Sequence, residues 1–216
     1  MKTSQITVDR DNVIVRTPNS KTASEIQNLV LQKAKWIYQK QLEFKRNKSS
    51  LVAPTFSDGS TIPLFGKNCL LRIRTGQKRT SVQFRRSQIT INLKSKKSMK
   101  KTVKQTYENW LFLKATRYLQ DRTWELAEKT RQNPSKIIIK RLKGRWGSAT
   151  KDGVINLNFN LLKAHKDVID YVIIHELCHL AIRKHSFQYW NLVKRHMPDY
   201  KDKIKWLETN HLIRSM

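Results

Sequence analysis

The pentapeptide His175-Glu176-Leu177-Cys178-His179 carries the residue types of a metal-dependent hydrolase, in the pattern H-E-x-x-H. Two histidines four apart lie on one face of a helix, close enough for both imidazoles to ligate one ion. Zn²⁺ accepts imidazole nitrogen well, and three protein ligands leave a coordination position for a water whose pKa falls to about 7. Glu176 is placed to take a proton from that water and return it to a leaving amine. Five letters alone match by accident in many chains, so the context matters. Val168, Ile169, Val172, Ile173, Leu177 and Leu180 make the surrounding helix strongly apolar. Two histidines and a glutamate would be costly to bury in it without a metal.

A third ligand is expected at His185, six residues after His179, the interval of H-E-x-x-H-x-x-G-x-x-H peptidases. Those motifs make their turn with glycine. Here Ile182 holds that place, so the turn must be made differently, through Arg183-Lys184. His196, Asp199 and Glu208 stand as rivals, with His185 then an exposed loop residue beside Ser186. Cys178 borders the ligand face but points off it and reads as a small packed thiol.

The elements that must position these groups follow from periodicity and turn residues. Ile6, Val8 and Val13-Ile14-Val15 are strand-like on either side of Asp9-Arg10-Asp11-Asn12, a hairpin turn. A helix is expected over about Thr22–Phe44, with Ile26, Leu29, Val30, Lys33, Ile37 and Leu42 near helical spacing. A polar linker follows at Arg46-Asn47-Lys48-Ser49-Ser50. Short strands run from about Thr61 to Leu93, where alternation sends Leu71, Ile73, Val82, Phe84, Ile89, Ile91 and Leu93 to one face. Arg72, Arg74, Gln83, Arg85, Thr90, Asn92 and Lys94 take the other. A long helix is expected over Ser98–Arg131, then strands at Lys136–Leu142 and Gly153–Asn158 around Gly144-Arg145-Trp146-Gly147-Ser148. Asp167 reads as the N-cap of the metal helix, with Asp170 in capping-box position. Ser186 caps the next helix, and Pro198 precedes the last. The fold class is α+β: an N-terminal strand/helix region with a basic β-sheet, residues 1–97, then a zincin-like catalytic module, residues 98–216.

Composition narrows the partners. Forty-four Lys plus Arg against sixteen Asp plus Glu leave a formal charge of +28 over 216 residues. An excess of that size usually marks contact with a polyanion. Between Gly59 and Tyr107 there are thirteen Lys or Arg and no Asp or Glu. Nucleic acid is therefore the expected polyanion, held by Arg72, Arg74, Arg85 and Lys94. Phe65, Tyr107 and Trp110 could stack on bases, though each also reads as core. No apolar run reaches the roughly 18 residues of a membrane span. Met1-Lys2-Thr3-Ser4-Gln5 has no apolar core of a secretory signal, and Cys69 and Cys178 form no disulfide framework. A cytoplasmic setting without membrane contact is expected.

Arg145-Trp146-Gly147-Ser148, Ile155-Asn156-Leu157-Asn158, Ile169 through Leu180, His185-Ser186 with Trp190, and Met197-Pro198-Asp199-Tyr200 together closely resemble the YgjP-like metallopeptidase family, relatives of the SprT-like zincins. Val13 to Pro18 and Lys35-Trp36-Ile37 extend the resemblance into the first half. It implies one zinc per chain on His175, His179 and His185, with Glu176 as general base and a protein or peptide as substrate. SprT-like relatives include proteases of DNA–protein crosslinks, which the basic sheet would suit. The family usually has Cys after Trp-Gly-Ser, and this chain has Ala149, so thiol control at that position is not expected. Val154–Asn158 is a candidate strand for pairing with extended substrate, or an ordinary internal strand. The alternative function is a nucleic-acid-binding accessory protein of a DNA-processing or restriction system, its zinc site structural or vestigial. The intact Glu176 argues against that alternative, since a structural site needs no such carboxylate.

Overall fold

Thr22 opens the first helix with its own side chain, which accepts from the Glu25 N–H while Glu25 reaches back to the Thr22 N–H, a complete capping box. A computed structural model of the chain describes residues 4–8, 13–46, 54–94 and 99–210. The described chain forms two compact units, Met1–Ser49 and Ser50–Met216. In the first unit, β1 (Gln5–Val8) pairs antiparallel with β2 (Val13–Arg16), placing Ile6 opposite Val15. The hairpin turn expected at Asp9–Asn12 and the linker residues Asn47–Ser50 lie outside the described residues. The helix expected as one piece is two, α1 (Ala23–Gln32) and α2 (Ala34–Arg46). They meet at Lys33, whose N–H is shared between Leu29 and Val30 carbonyls and whose backbone sits at φ −99°, ψ 3°.

The second unit holds the basic sheet and everything after it. β3 (Thr61–Leu64), β4 (Lys67–Arg74), β5 (Ser81–Arg85) and β6 (Gln88–Asn92) form one sheet in the order β3-β4-β6-β5. Its two hairpins turn on Phe65-Gly66 and Arg86-Ser87, and all four residues have positive φ, between 48° and 73°. That is the type I′ pattern, whose twist matches the flanking strands. The expected alternation is present in β4, but in the central strand β6 Thr90, expected on the exposed face, is buried as well. Leu71, Ile89 and Ile91 are fully buried while Arg72 and Arg74 are exposed. Phe84, expected on the packed face, stays 40% exposed on the edge strand β5, its ring 6.5 Å from that of Trp110.

α3 (Met99–Thr130) covers the apolar face with Val103, Tyr107, Leu111, Ala115 and Leu119, a stripe of every fourth residue with 0% exposure. Burying side chains of the Leu size contributes roughly 1.5–3 kcal/mol each. Tyr107 also donates its hydroxyl to the Pro63 carbonyl at 3.1 Å, which accounts for its one polar atom and removes it from any base-stacking surface. Phe65 and Trp110 are only partly buried and pack against the same core.

A second sheet has β9 (Val154–Asn158) at its centre, with β7 (Lys136–Lys140) parallel on one side and β8 (Gly147–Ala149) antiparallel on the other. The chain then makes a 3₁₀ turn, Phe159–Lys163, and enters α4 (Lys166–Ala181), α5 (Phe187–His196) and α6 (Tyr200–Thr209). Among the described residues, no helix is long and apolar enough to cross a membrane.

α4 starts two residues earlier than its carboxylates suggested. His165 is the N-cap and makes no side-chain cap bond, whereas Asp167 lies in the first turn. Asp167 and Asp199 both pair with Lys203 of α6, at 2.6 and 2.9 Å. Asp170 is no capping-box partner. It receives two parallel bonds from the Arg122 guanidinium of α3, 2.7 and 2.6 Å long, and so fastens α4 to the long helix.

The β3–β4 turn docks on the approach to α4, with Phe65 and Gly66 N–H groups donating to Leu162 and Lys163 carbonyls, both at 2.9 Å. A Cβ at Gly66 would lie 2.1 Å from His165 Nδ1, at a backbone φ of +73°. Gly66→Ala is expected to lower stability by about 2 kcal/mol or more, combining left-handed strain with displacement of His165. Urea unfolding of the variant beside the wild type measures it.

Candidate metal centre

Nearly the whole circumference of α4 is apolar and covered. Val168, Ile169, Val172, Ile173 and Leu177 are buried, as is the Cys178 thiol, whose pKa burial pushes up to about 12. The helix packs against α3, β8, β9, α5 and α6. Asp167 and Asp170 of its first half are taken up by Lys203 and Arg122, and His175, Glu176 and His179 sit nearer its C-terminal end. The helix stops at Ala181, and Ile182 takes up extended backbone at φ −132°, ψ 108°. No left-handed residue is used there, which is why Ile182 can stand where the longer motif carries glycine. The turn is made by a tight step at Lys184, whose carbonyl accepts from the Ser186 N–H at 2.7 Å.

That turn brings His185 back over the helix end. Its Nε2 lies 3.1 Å from His179 Nε2 and 3.2 Å from His175 Nε2. Ligand atoms of the three residues all fall within 4.8 Å of one another, the one such His/Cys/Asp/Glu group among the described residues. Asp199, considered as a rival, is instead paired with Lys203. A tetrahedral zinc with Zn–N bonds of about 2.0–2.1 Å separates its ligand nitrogens by roughly 3.3–3.4 Å, close to the spacing found.

The far side of each helical imidazole is occupied. His179 Nδ1 donates to the Ile182 carbonyl at 3.1 Å, and His175 Nδ1 meets the Tyr171 hydroxyl at 3.3 Å. With His179 Nδ1 protonated to meet that carbonyl, its inward Nε2 carries a lone pair, the tautomer that metal ligation requires. Burial, then the neighbouring histidines, pulls the His175 pKa down to about 3, and burial also lowers that of His179. These rings are neutral at pH 7. Such a set suits a cation.

Glu176 stands beside them with only 6% exposure. Burial pushes its carboxyl up to about 8, against the charge of Arg145 and an N–H bond from Ala149 that both favour the carboxylate. A cation on the imidazoles would favour it too. The carboxylate lies so close to β8 that a Cβ at Gly147 would fall 2.7 Å from Glu176 Cγ and Oε1. The loop leading into β8 is held by Asn158, fully buried, whose amide donates to Leu142 and Arg145 carbonyls at 2.9 and 3.2 Å.

Around the histidines lies an aromatic shell. Tyr189, fully buried, donates its hydroxyl to the His175 carbonyl at 3.0 Å and stacks on the His179 ring at 4.4 Å. Trp190 stacks on His185 at 5.4 Å, and Tyr200 stacks on Trp190 at 5.3 Å.

One sequence expectation changes here. β9 is paired on both sides, so it has no free edge to offer an extended substrate; β8, next to Glu176, has a partner on one side only among the described strands. Arg72, Arg74 and Arg85 do share the exposed face of the basic sheet, Arg85 standing opposite Gln88, which pairs with Leu70 on β4. Lys94 is exposed just past the end of β6. Arg72 is 3.6 Å from Asp58. These four are part of another surface feature, and none belongs to the histidine group.

The chain matches a family profile described as "YgjP-like, metallopeptidase domain" over residues 2–210. It belongs to the YgjP-like metallopeptidase family. Membership supports a peptidase that acts on protein or peptide and implies a metal, for which the three imidazoles are a fitting donor set. Among solved structures, the chain is similar to the metallopeptidase zymogen of Pyrococcus abyssi abylysin, with 27% identity, 39% of this chain and 87% of that chain covered, and a TM-score of 0.37. The zymogen of Methanocaldococcus jannaschii jannalysin aligns at 22% identity over 44% of this chain and 96% of that chain, with a TM-score of 0.38. No curated protein matches.

Sequence reasoning did not find the roles of Gly147 and Tyr189. The signal for Gly147 was faint: a glycine between Trp146 and Ser148, without positive φ, signifies close approach of another group rather than a turn. Gly147→Ala should leave the protein folded but lower peptide hydrolysis by on the order of 10²-fold, the cost of about 1 Å of misplacement at a reacting group. Turnover of a quenched fluorescent peptide by Gly147→Ala and Ser148→Ala would compare the two neighbours, only the first of which is expected to lose activity.

Proposed function

We propose that this chain is a zinc-dependent peptidase in which His175, His179 and His185 hold one ion and Glu176 is the general base. The observation that supports it most directly is the convergence of three imidazole Nε2 atoms beside one buried carboxyl. A bound zinc ion would supply Lewis acidity, polarising a peptide carbonyl and acidifying water. The protein's part is positional. The Ala149 N–H holds one side of the Glu176 carboxylate, leaving the group oriented to accept a proton and to deliver it to the departing amine nitrogen. The open edge of β8 can receive an extended peptide by strand addition, with main-chain bonds giving register.

Glu176→Gln is expected to retain zinc and to lower hydrolysis by ~10²-fold or more, the usual size of a positioned base. His185→Ala should lose most of its zinc by elemental analysis. Wild-type cleavage by metal-replete Glu176→Gln would remove Glu176 from the mechanism, and full zinc in His185→Ala would return attention to Asp199 or Glu208.

A polyanion fits the second surface. Three exposed arginines on one sheet face, in the same compact unit as the histidines, support a peptidase that acts on proteins bound to nucleic acid. Strands with exposed cations offer contacts to phosphates rather than base edges, so binding should be weakly sequence-specific and steeply salt-dependent. Neutralising Arg72, Arg74 and Arg85 together is expected to flatten the salt slope by about one unit per lost phosphate contact while zinc content stays constant. Superimposable salt titrations of DNA binding for wild type and triple variant would mean that the face is merely solvated.

A further inference from the structure

His185 differs from the other two histidines in what supports it. His175 and His179 are on a packed helix, whereas His185 is exposed and lies in a short link between α4 and α5. In that link Arg183 turns its guanidinium away from the histidines' partners and onto the β8–β9 turn. Its two terminal nitrogens donate to the Thr150 carbonyl at 2.5 Å and the Lys151 carbonyl at 2.8 Å. The receiving turn is itself braced. Thr150 and Val154 exchange backbone and side-chain bonds, Gly153 donates back to the Thr150 carbonyl, and Ser135 Oγ donates to the Asp152 carbonyl at 2.6 Å. Gly153, at φ +79°, has room for no Cβ without crowding Ser135 at 3.3 Å.

We propose that Arg183 is a positioning residue for the third metal ligand, clamping the His185 link to the same hairpin whose strand holds Glu176. The inference rests on the zinc reading above. Charge and geometry here oppose each other, which makes the role separable. Arg183 is a cation two residues before His185, so its charge alone disfavours a dication held by that ligand. A planar fork on two carbonyls, by contrast, fixes the link that carries His185, and outer supports of this kind change metal affinity by about 10–100-fold. Removing Arg183 tightens zinc binding if only charge matters and weakens it if the clamp matters.

The experiment is zinc competition against a chromophoric chelator, using the full chain with Arg183→Ala, Arg183→Lys and Lys184→Ala. Lys184 is an equally exposed cation in the same link, and the one bond of that residue seen in the turn comes from its backbone carbonyl. Arg183→Ala should bind zinc about ten-fold more weakly or worse, Arg183→Lys should fall between it and wild type, and Lys184→Ala should bind as wild type or slightly tighter. Urea midpoints of the metal-free proteins should coincide, since Arg183 is exposed. Arg183→Ala binding zinc as tightly as wild type, or tighter, overturns the clamp while leaving the zinc reading intact. A wild type that binds no zinc overturns both.

Discussion

Glu176 is a carboxylate in a place built to exclude water, and much of the second unit is arranged around that fact. It projects from a helix whose other faces are apolar, and it can be accommodated only if something donates to it and nothing crowds it. The Ala149 N–H meets the first requirement and the missing side chain at Gly147 the second. Both residues belong to the three-residue strand β8, which exists only as an edge on β9. β9 in turn is sandwiched between β7 and β8, and its last residue, Asn158, ties down the loop by which the chain enters β8. The position of one carboxyl group thus depends on a chain of backbone pairings.

The histidines answer to a different arrangement. Two of them are spaced by the helix itself, and the third is returned by a link that avoids left-handed backbone altogether. Aromatic rings fill the space around them, Tyr189 stacked on His179 and edge-on to His175, and Trp190 stacked on His185. Rigid side chains with few rotors hold rings at low entropic cost. The result is a ligand set built from α4 and the link that follows it, packed against rings from the start of α5.

The parts legible in the sequence were those governed by period and by local bonding. Alternation in β4 and β6 separated Leu71, Ile89 and Ile91 from Arg72 and Arg74, and the four-residue spacing of His175 and His179 put them on one helix face. Ser186 capped α5 as read, its Oγ accepting from the Tyr189 N–H. Asp167 and Asp170 misled because carboxylates near a helix start suit a cap and an interhelical ion pair equally well; only the positions of Lys203 and Arg122, distant in sequence, decide between them. The same limit hid Gly147 and Arg183. Their partners are set by tertiary contact, and no spacing rule links residue 147 to 176 or residue 183 to 150.

Pro63 illustrates how such contacts also decide what the protein does not do. The two-residue turn at Phe65-Gly66 closes on the Leu64–Lys67 pair, so Pro63, one position further out, directs its backbone away from β4. Proline has no N–H to offer there, and its carbonyl is already engaged by Tyr107. A strand from another molecule approaching β3 would therefore meet a missing donor and an occupied acceptor at the middle of that edge. Strand addition to β3 is disfavoured at that position.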